Sequence, residues 1–314
     1  MSDGDLRVQE VVDRLDFDQY RDHVFELTRF GDREQGTPRN AAAVDWIEEQ
    51  LQAWGYTTGR VDYEYEGEPR SQVYATKVGQ TRPDEMFILG AHMDGRGGGE
   101  AANDDASGTA VVLEIARAMA GPEVVTERSV RFALWNNEET GLQGAEAYVE
   151  QRAGLQGRED PPGSGRYPEP TWVGMIQHDM MMWDHGNPVT WEQADDADVD
   201  IEFQLASEEA EASAVLALEL LNANRRFGQF YPAVVSNAMS NTDSRAFQDH
   251  VASVSLRENR RLYETGNRAN PHWHQPTDLF VSFEEEDYRL GFEAARTTLG
   301  AVAKLAGAAR TGEP

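Results

Sequence analysis

The stretch Phe87–Ala116, FILGAHMDGRGGGEAANDDASGTAVVLEIA, decides the fold that the rest of the chain must complete. Its apolar beginning stops at a Gly-Ala pair and is followed by His92 and Asp94, as in a buried strand whose end opens into a site. A glycine-rich loop then leads to Asp104 and Asp105 and to an apolar helix. Asp105 could cap that helix, but capping does not explain the histidine upstream. Because imidazole and carboxylate groups together suit zinc or a similar divalent ion, this stretch predicts a metal site.

Two later strands also end in polar residues. The predicted strand Ser129–Leu134 runs into the pair Glu138 and Glu139, and the predicted strand Trp172–Ile176 is followed by Asp179. Strands that alternate with helices and carry polar residues at their carboxyl ends indicate an α/β sheet with a site along one edge. The predicted fold class is therefore α/β: a three-layer sandwich with a mixed, mostly parallel central sheet flanked by helices.

The remaining segments fit this architecture. Helical periodicity is present over 8–30, 40–54, 208–221 and 290–306, an antiparallel strand pair is predicted over 57–79, and further strands over 200–205 and 251–256. We expect two helices at the N-terminus. No linker separates these segments, so residues 1–314 are predicted to form one domain.

The charge of the chain restricts its partners. It has 56 acidic and 28 basic residues and a formal net charge of −28. Such a surface repels nucleic acid and anionic membranes, which we exclude as partners. It is typical of a halophilic protein, in which salt screens the repulsion between carboxylates, although solubility alone also accounts for it. The chain has no cysteine, so any metal must be held by histidine, aspartate and glutamate.

The N-terminus, MSDGDLRVQE, lacks the basic and apolar regions of a secretory signal, and no apolar run is long enough to span a bilayer. We therefore expect a soluble, cytoplasmic protein. Secretion is the alternative, if a leader has been removed. The sequence gives no indication of the oligomeric state.

Five segments, taken in order, resemble the M28 family of zinc-dependent exopeptidases. They are G-A-H-x-D around His92, N-D-D-x-S-G from residue 103, E-E-x-G-L-x-G from residue 138, a later aspartate at Asp179, and a final H-x-x-x-D that begins at His274. The resemblance implies the zinc-exopeptidase form of the three-layer fold, which is phosphorylase/hydrolase-like.

The resemblance also assigns site residues. Glu138 becomes the general base, which deprotonates a water shared by two metal ions. Asp94 and Asp278 are each expected to accept the free N–H of a metal-bound histidine. His178 and His272 are rival ligands that the motifs fit less well. The implied ligands are His92 and Asp179 for one zinc ion, Glu139 and His274 for the other, and Asp104 as the bridge.

Three positions depart from the family pattern or have an open role. Trp273 stands where the family's aminopeptidases often carry a tyrosine that stabilises the oxyanion, and in this it is similar to the related glutaminyl cyclases, which use one zinc ion. Its indole N–H could also serve an oxyanion. Asp243 lies in a segment that resembles S-D-H-x-x-F, with Ser244 in place of histidine, and its role is open. Arg257 follows a strand and either binds a substrate carboxylate or carbonyl or belongs to an ion-paired surface.

The resemblance implies an exopeptidase that acts on peptides with two zinc ions per chain, and we expect an aminopeptidase. A glutaminyl-peptide cyclase with one zinc ion, a carboxypeptidase and a non-catalytic binding protein are the alternatives. The preferred side chain of the substrate and the end of the peptide that is cut are not indicated by the sequence.

Overall fold

The computed structural model describes residues 2–184, 199–239, 241–258 and 270–311. Its strands are β1 (Thr58–Tyr65), β2 (Glu68–Lys77), β3 (Arg82–His92), β4 (Val124–Val125), β5 (Arg128–Trp135), β6 (Thr171–His178), β7 (Val199–Glu202), β8 (Ala233–Ser236), β9 (Ser253–Arg257) and β10 (Ala309–Arg310). Its helices are α1 (Asp3–Val12), α2 (Phe17–Thr28), α3 (Pro38–Ala53), α4 (Gly108–Met119), α5 (Gln143–Arg152), α6 (Ala210–Phe227), α7 (Ser244–Phe247) and α8 (Glu285–Leu305). Within these ranges, no helix has the length and apolarity needed to cross a membrane.

Eight of these strands form the central sheet, in the order β1-β2-β5-β3-β6-β9-β7-β8. The middle strands β5, β3, β6 and β9 run parallel to one another. Antiparallel pairs join β1 to β2, β2 to β5, and β7 to β9. The sheet is thus mixed with a parallel centre, which confirms the predicted fold class.

Strand β3 shows how the layers are built. Its side chains alternate between two hydrophobic clusters: Phe87 and Leu89 pack in a cluster with residues of α4 and α8, whereas Met86 and Ile88 pack in another with residues of α5. Successive side chains of a strand point to opposite faces of its sheet, so helices cover both faces. Parallel strands that are buried in this way read as continuous apolar runs, which is why β3 was visible in the sequence.

Two parts of the fold differ from expectation. The N-terminal region has three helices rather than two, because the Asp16 side chain accepts the backbone N–H of Gln19 at 3.0 Å and so starts α2 anew. Strand β8 was not predicted. It has only four residues, all of them half-buried at the edge of the sheet, and so short a segment carries no clear periodicity.

The parallel strands bring chemically useful residues to one edge of the sheet. His92 is the last residue of β3 and Arg257 the last of β9. Glu138 follows β5, and Asp179 follows β6 directly. Because the carboxyl ends of parallel neighbours lie at the same edge, these four side chains are gathered from distant parts of the sequence.

Candidate metal centre

The first of two clusters of ligand-type side chains consists of His92, Glu138 and Asp179 and is called the His92 group here. One ligand atom from each residue lies within 4.8 Å of the others. His92 Nε2 is 3.7 Å from Asp179 Oδ1, and both of these side chains are buried. All three residues stand at or just beyond strand ends, so the sheet sets their spacing.

The second cluster consists of Asp104, Glu139 and His274 and is called the His274 group. His274 Nε2 lies 3.0 Å from Asp104 Oδ2 and 3.0 Å from Glu139 Oε2. The His274 side chain is 19% exposed, compared with 1% for His92. This group therefore faces the solvent more than the first does.

Asp104 lies between the two groups. Its Oδ1 is 3.1 Å from His92 Nε2, whereas its Oδ2 is the atom beside His274. A carboxylate whose two oxygens face different ligand sets has the geometry to bridge two cations. The structure thus brings together all the residues that the resemblance assigned to the metal and the base: His92, Asp104, Glu138, Glu139, Asp179 and His274.

The adjacent glutamates are turned towards different groups, and Asp94 holds them in this arrangement. Asp94 Oδ1 accepts the backbone N–H of Glu138 at 3.1 Å, and Oδ2 accepts that of Glu139 at 3.4 Å. With both backbones held, the Glu138 side chain belongs to the His92 group and the Glu139 side chain to the His274 group. The pair therefore provides two carboxylates with separate environments.

The two aspartates that were expected to accept histidine N–H groups make other contacts. His92 Nδ1 is 2.9 Å from the backbone carbonyl of Asp94, whose carboxylate is farther away at 3.8 Å. Asp278 accepts the backbone N–H groups of Asn103 and Asp104, at 2.8 and 3.1 Å. The expected contacts are thus replaced, because the buried N–H groups of the ligand-bearing segments need acceptors of their own. Both carboxylates support the site through its backbone.

Burial changes the protonation of the cluster. It raises the pKa of Glu138 well above the usual range of a carboxyl group and that of Glu139 to about 7. Burial acts in the same direction on Asp104, but the nearby imidazoles of His274 and His92 outweigh it and lower the pKa of that carboxyl. Glu138 therefore holds a proton more readily than an ordinary carboxylate does, whereas Asp104 remains an anion.

Arg257 is ion-paired, as one of the sequence alternatives expected, but in the interior rather than at the surface. Its Nη2 donates to Asp179 Oδ2 at 2.7 Å and to the carbonyl of Asn241 at 2.9 Å. Its Nε is 3.5 Å from Glu202. Burial would raise the pKa of Asp179, but Arg257 outweighs it and lowers this pKa to about 2. The pair leaves Asp179 Oδ1 as the oxygen that faces His92.

The two rival histidines lie outside both ligand groups. His178 Nδ1 is 3.1 Å from the carbonyl of Gly90 and its Nε2 is 2.8 Å from the Thr298 hydroxyl, so both ring nitrogens are occupied. His272 Nδ1 is 3.0 Å from the Thr277 hydroxyl. The first is therefore a structural residue of the core, and the second fixes the turn that carries His274.

A cavity of about 300 Å³ opens onto both groups. Met180 and Trp273 supply apolar surface to its wall, and Arg96 supplies a positive charge. Asp243 is buried outside the two ligand groups and accepts a hydrogen bond from Gln177 Nε2 at 2.8 Å. The lining residues are Arg96, Asp104, Glu138, Glu139, Gly141, Asp179, Met180, Asn241, Arg257, Trp273 and His274.

Two arginines that shape the site were not recognised from the sequence. The guanidinium of Arg33 is fully buried and donates to the backbone carbonyls of Met93, Glu100 and Ala101, on both sides of the glycine-rich loop. Backbone acceptors leave no trace in a single sequence, so no signal could have revealed it. Arg96 did carry a signal, because it is a lone cation within that glycine-rich loop, four residues after the candidate ligand His92.

Two buried atoms indicate that the groups fit a metal. Glu139 Oε1 has no hydrogen-bond partner in the part of the chain that the structure describes, and His92 Nε2 is close to Asp104 Oδ1, at 3.1 Å, but makes no hydrogen bond with good geometry there. Buried polar atoms seldom lack a partner, and these two belong to adjacent clusters of metal-ligating side chains. The donors are imidazole nitrogen and carboxylate oxygen, a set that zinc accepts. The residues therefore fit a pair of divalent ions.

The model of peptidase family M28 matches residues 72–295. The chain belongs to peptidase family M28. It is 32% identical over 119 residues to leupeptin-inactivating enzyme 1 of Streptomyces exfoliatus, which covers 38% of this chain and 27% of that enzyme. It is 30% identical over 172 residues to a "Probable zinc metalloprotease" of Pyricularia oryzae, covering 46% of this chain and 34% of the relative. The matched segments span between 14% and 38% of the length of the curated relatives.

Solved structures of an aminopeptidase and of a glutaminyl cyclase share the fold. The aminopeptidase from Aneurinibacillus sp. strain AM-1 superposes with a TM-score of 0.69 at 16% identity, over 98% of this chain and 97% of that one. The glutaminyl cyclase of Porphyromonas gingivalis superposes with a TM-score of 0.70 at 17% identity, over 93% and 99%. At this level of identity the likeness extends to the fold alone, so the site must decide between the activities.

Proposed function

We propose that this M28 family member is a zinc-dependent aminopeptidase, which hydrolyses the N-terminal peptide bond of its substrates. One observation carries the proposal: Asp104 places one oxygen 3.1 Å from His92 and the other 3.0 Å from His274, with Glu138 in the adjoining ligand group. This is the arrangement that a paired-metal hydrolase with a separate general base needs.

The proposal assigns two zinc ions to the chain. His92 and Asp179 would hold one, Glu139 and His274 the other, and Asp104 both. When bound, the ions supply Lewis acidity, which polarises the scissile carbonyl and makes water easier to deprotonate. Arg257 takes one oxygen of Asp179 and so keeps the other directed at His92.

Glu138 moves the proton. It takes a proton from the attacking water as the water oxygen bonds to the carbonyl carbon, and it returns that proton to the amine when the carbon–nitrogen bond breaks. Its raised pKa suits this exchange, because a base that is too acidic cannot keep the proton between the two steps. Trp273 lines the same cavity and can offer its indole N–H to the developing oxyanion.

The experiment joins metal analysis with turnover. Wild-type protein should contain about two zinc ions per chain and should hydrolyse aminoacyl p-nitroanilides. Glu138→Gln should keep the metal while kcat falls roughly 10²- to 10⁴-fold. Glu150→Gln, a substitution on the exposed face of α5, is the matched control. Turnover retained in Glu138→Gln would refute the role of the base, and hydrolysis of peptides with an acetylated N-terminus in place of free ones would make the enzyme a carboxypeptidase.

A glutaminyl-peptide cyclase is the second candidate. Trp273 and the superposition on a glutaminyl cyclase favour it, whereas the paired ligand groups favour the peptidase. A peptide with N-terminal glutamine separates the two reactions, since cyclisation releases ammonia and leaves the peptide bond intact. Ammonia release together with one zinc ion per chain would support the cyclase and contradict the proposed aminopeptidase.

A further inference from the structure

Arg96 is presented to the cavity by a loop whose backbone is held in place. Gly97 and Gly98 have positive φ angles of 103° and 76°, which glycine adopts without strain. The N–H of Gly98 donates to Asp32 at 3.0 Å. A Cβ on Gly97 would lie 2.7 Å from the carbonyl carbon of His274, so this loop packs directly against the second ligand group. The Arg96 side chain itself is 50% exposed and lines the cavity.

The contacts of Arg96 are with residues that the metal would use. Its Nε is 3.1 Å from Glu139 Oε2 and its Nη2 is 2.9 Å from His274 Nδ1. When His274 Nε2 gives its lone pair to a metal, the proton of a neutral imidazole is on Nδ1, which then cannot accept a hydrogen bond from Arg96. A bound ion would also neutralise part of the negative charge of Glu139 and so weaken its ion pair with Arg96. Metal binding therefore weakens both of these contacts and leaves Arg96 with the long contact from its Nη1 to the backbone carbonyl of Glu139, at 3.5 Å, so the guanidinium can take another acceptor.

Charge and shape determine what that acceptor is. Two divalent ions would neutralise the four carboxylates of the cavity, Asp104, Glu138, Glu139 and Asp179, and leave its arginines as excess positive charge. Arg257 is already held by Asp179 and Glu202. Arg96 is therefore the cavity cation that can turn to a substrate. The planar fork of a guanidinium matches a carboxylate, which it binds through two parallel hydrogen bonds.

We propose that Arg96 binds a carboxylate of the substrate, so that this enzyme selects short peptides with a carboxylate close to the scissile bond. The inference rests on the proposed function and names its substrate class. Two groups supply the same chemistry: the C-terminal carboxylate of a dipeptide, and the side chain of an acidic residue after the scissile bond. In a protein with a net charge of −28, a local cation is also what draws an anionic peptide into the site.

The test uses two matched pairs of peptides. Leu-Gly and Leu-Gly-amide differ in the C-terminal carboxylate, and Leu-Glu-amide and Leu-Gln-amide differ in the side-chain carboxylate. In wild-type enzyme, kcat/KM should favour the carboxylate member of at least one pair by roughly tenfold or more, chiefly through KM, as expected for a charge-assisted hydrogen bond. Arg96→Met should bring that ratio close to one, and Arg96→Lys should restore part of it. Arg226→Met, which removes a similarly exposed arginine that does not line the cavity, should keep the wild-type ratio.

A measurement of peptide binding distinguishes failure of this inference from failure of the proposed function. The same peptides are titrated by calorimetry into zinc-loaded Glu138→Gln protein, with and without Arg96→Met. If the preference for the carboxylate peptide disappears in Arg96→Met, the inference is supported, even if wild-type protein hydrolyses none of the peptides. That absence of hydrolysis would refute only the proposed aminopeptidase activity. If neither pair of peptides shows a carboxylate preference that depends on Arg96, in hydrolysis or in binding, the inference is overturned. The proposed aminopeptidase activity is then unaffected. The pair that responds identifies which carboxylate is bound.

Discussion

The two ligand groups meet at Asp104 but are built differently. His92 closes a buried strand, its side chain is 1% exposed, and its backbone N–H donates to Asp105 at 3.2 Å. His274 lies outside the helices and strands, has a positive φ of 53°, and keeps a partly exposed side chain. Side chains on strands are held more precisely than side chains on loops. The His92 group is thus preorganised for the ion that we propose it holds, and the His274 group is more adaptable.

The arginines that contact each ligand group differ in burial in the same way as the groups themselves. Asp179 in the His92 group is paired with the buried Arg257, whereas Glu139 in the His274 group is paired with the half-exposed Arg96. A bound ion and its carboxylate ligands attract each other more strongly in the interior than beside solvent. We therefore expect the ion of the His92 group to bind more tightly than that of the His274 group.

The largest effect is expected from Asp104→Asn, because this change affects both groups at once. An amide cannot give each ion a negatively charged oxygen, so binding of both ions should weaken. Zinc content should fall at both sites. The drop in kcat/KM should exceed the roughly hundredfold loss that follows removal of a residue hydrogen-bonded to a metal ligand. Metal analysis and peptide hydrolysis measure the two effects. Asp22→Asn on the exposed face of α2 is the control, and a full zinc complement in Asp104→Asn would show that Asp104 is not the bridge.

The two histidines separate the groups. His274→Ala should leave about one zinc ion per chain, held by the His92 group, whereas His92→Ala should lose more zinc because it removes the preorganised ligand. Activity should be low in both, so zinc content after dialysis against a weak chelator is the informative measurement. Equal zinc content in the two variants would contradict the proposed difference between the groups.

Apart from Asp104, which follows the glycine-rich loop, the residues that could be predicted from the sequence are those at strand ends. The apolar run before His92 marks a buried strand, and parallel strands that end in polar residues lead to a shared edge without any knowledge of contacts. Glu138 and Asp179 follow by the same reasoning. His274 does not, since it lies in a turn with no periodic signal, and only the resemblance to M28 peptidases indicated it.

The contacts behind the ligands could not be predicted. Asp94 and Asp278 were expected to accept histidine N–H groups, yet they accept backbone N–H groups, because the local path of the chain decides which donors are left buried. Arg257 illustrates the same limit. Its partners, Asp179 and Glu202, are adjacent only after β6, β7 and β9 have paired.

A smaller effect is expected from Arg257→Lys, which keeps the charge but loses the guanidinium fork that holds Asp179 and the carbonyl of Asn241. The zinc affinity of the His92 group should fall by about 10- to 100-fold, the usual cost of losing an outer contact. Competition with a chromophoric chelator measures it, and Arg226→Lys at the exposed pair with Asp5 is the control. A lower melting temperature with unchanged zinc affinity would make Arg257 a purely structural residue.

A change in salt concentration should have the smallest effect, and its effect on zinc binding should differ between the two ligand groups. Because the net charge is −28, raising a nitrate salt from about 0.1 to 2 M should screen the repulsion between carboxylates and raise the melting temperature. Nitrate is chosen because chloride competes for zinc. The triple variant Glu10→Gln, Glu49→Gln and Glu150→Gln, which removes three exposed charges, should gain less.

The same salt series should weaken zinc binding a few-fold in the His274 group and hardly at all in the His92 group, since mobile ions screen exposed charges far more than buried ones. The measurement compares the zinc affinities of His274→Ala and of wild-type protein, which isolates the weaker site by difference. If both affinities fall in parallel, the two groups experience the same solvent. In that case the 19% exposure of His274 has no consequence for metal binding, and the difference between the groups lies only in how their backbones are held.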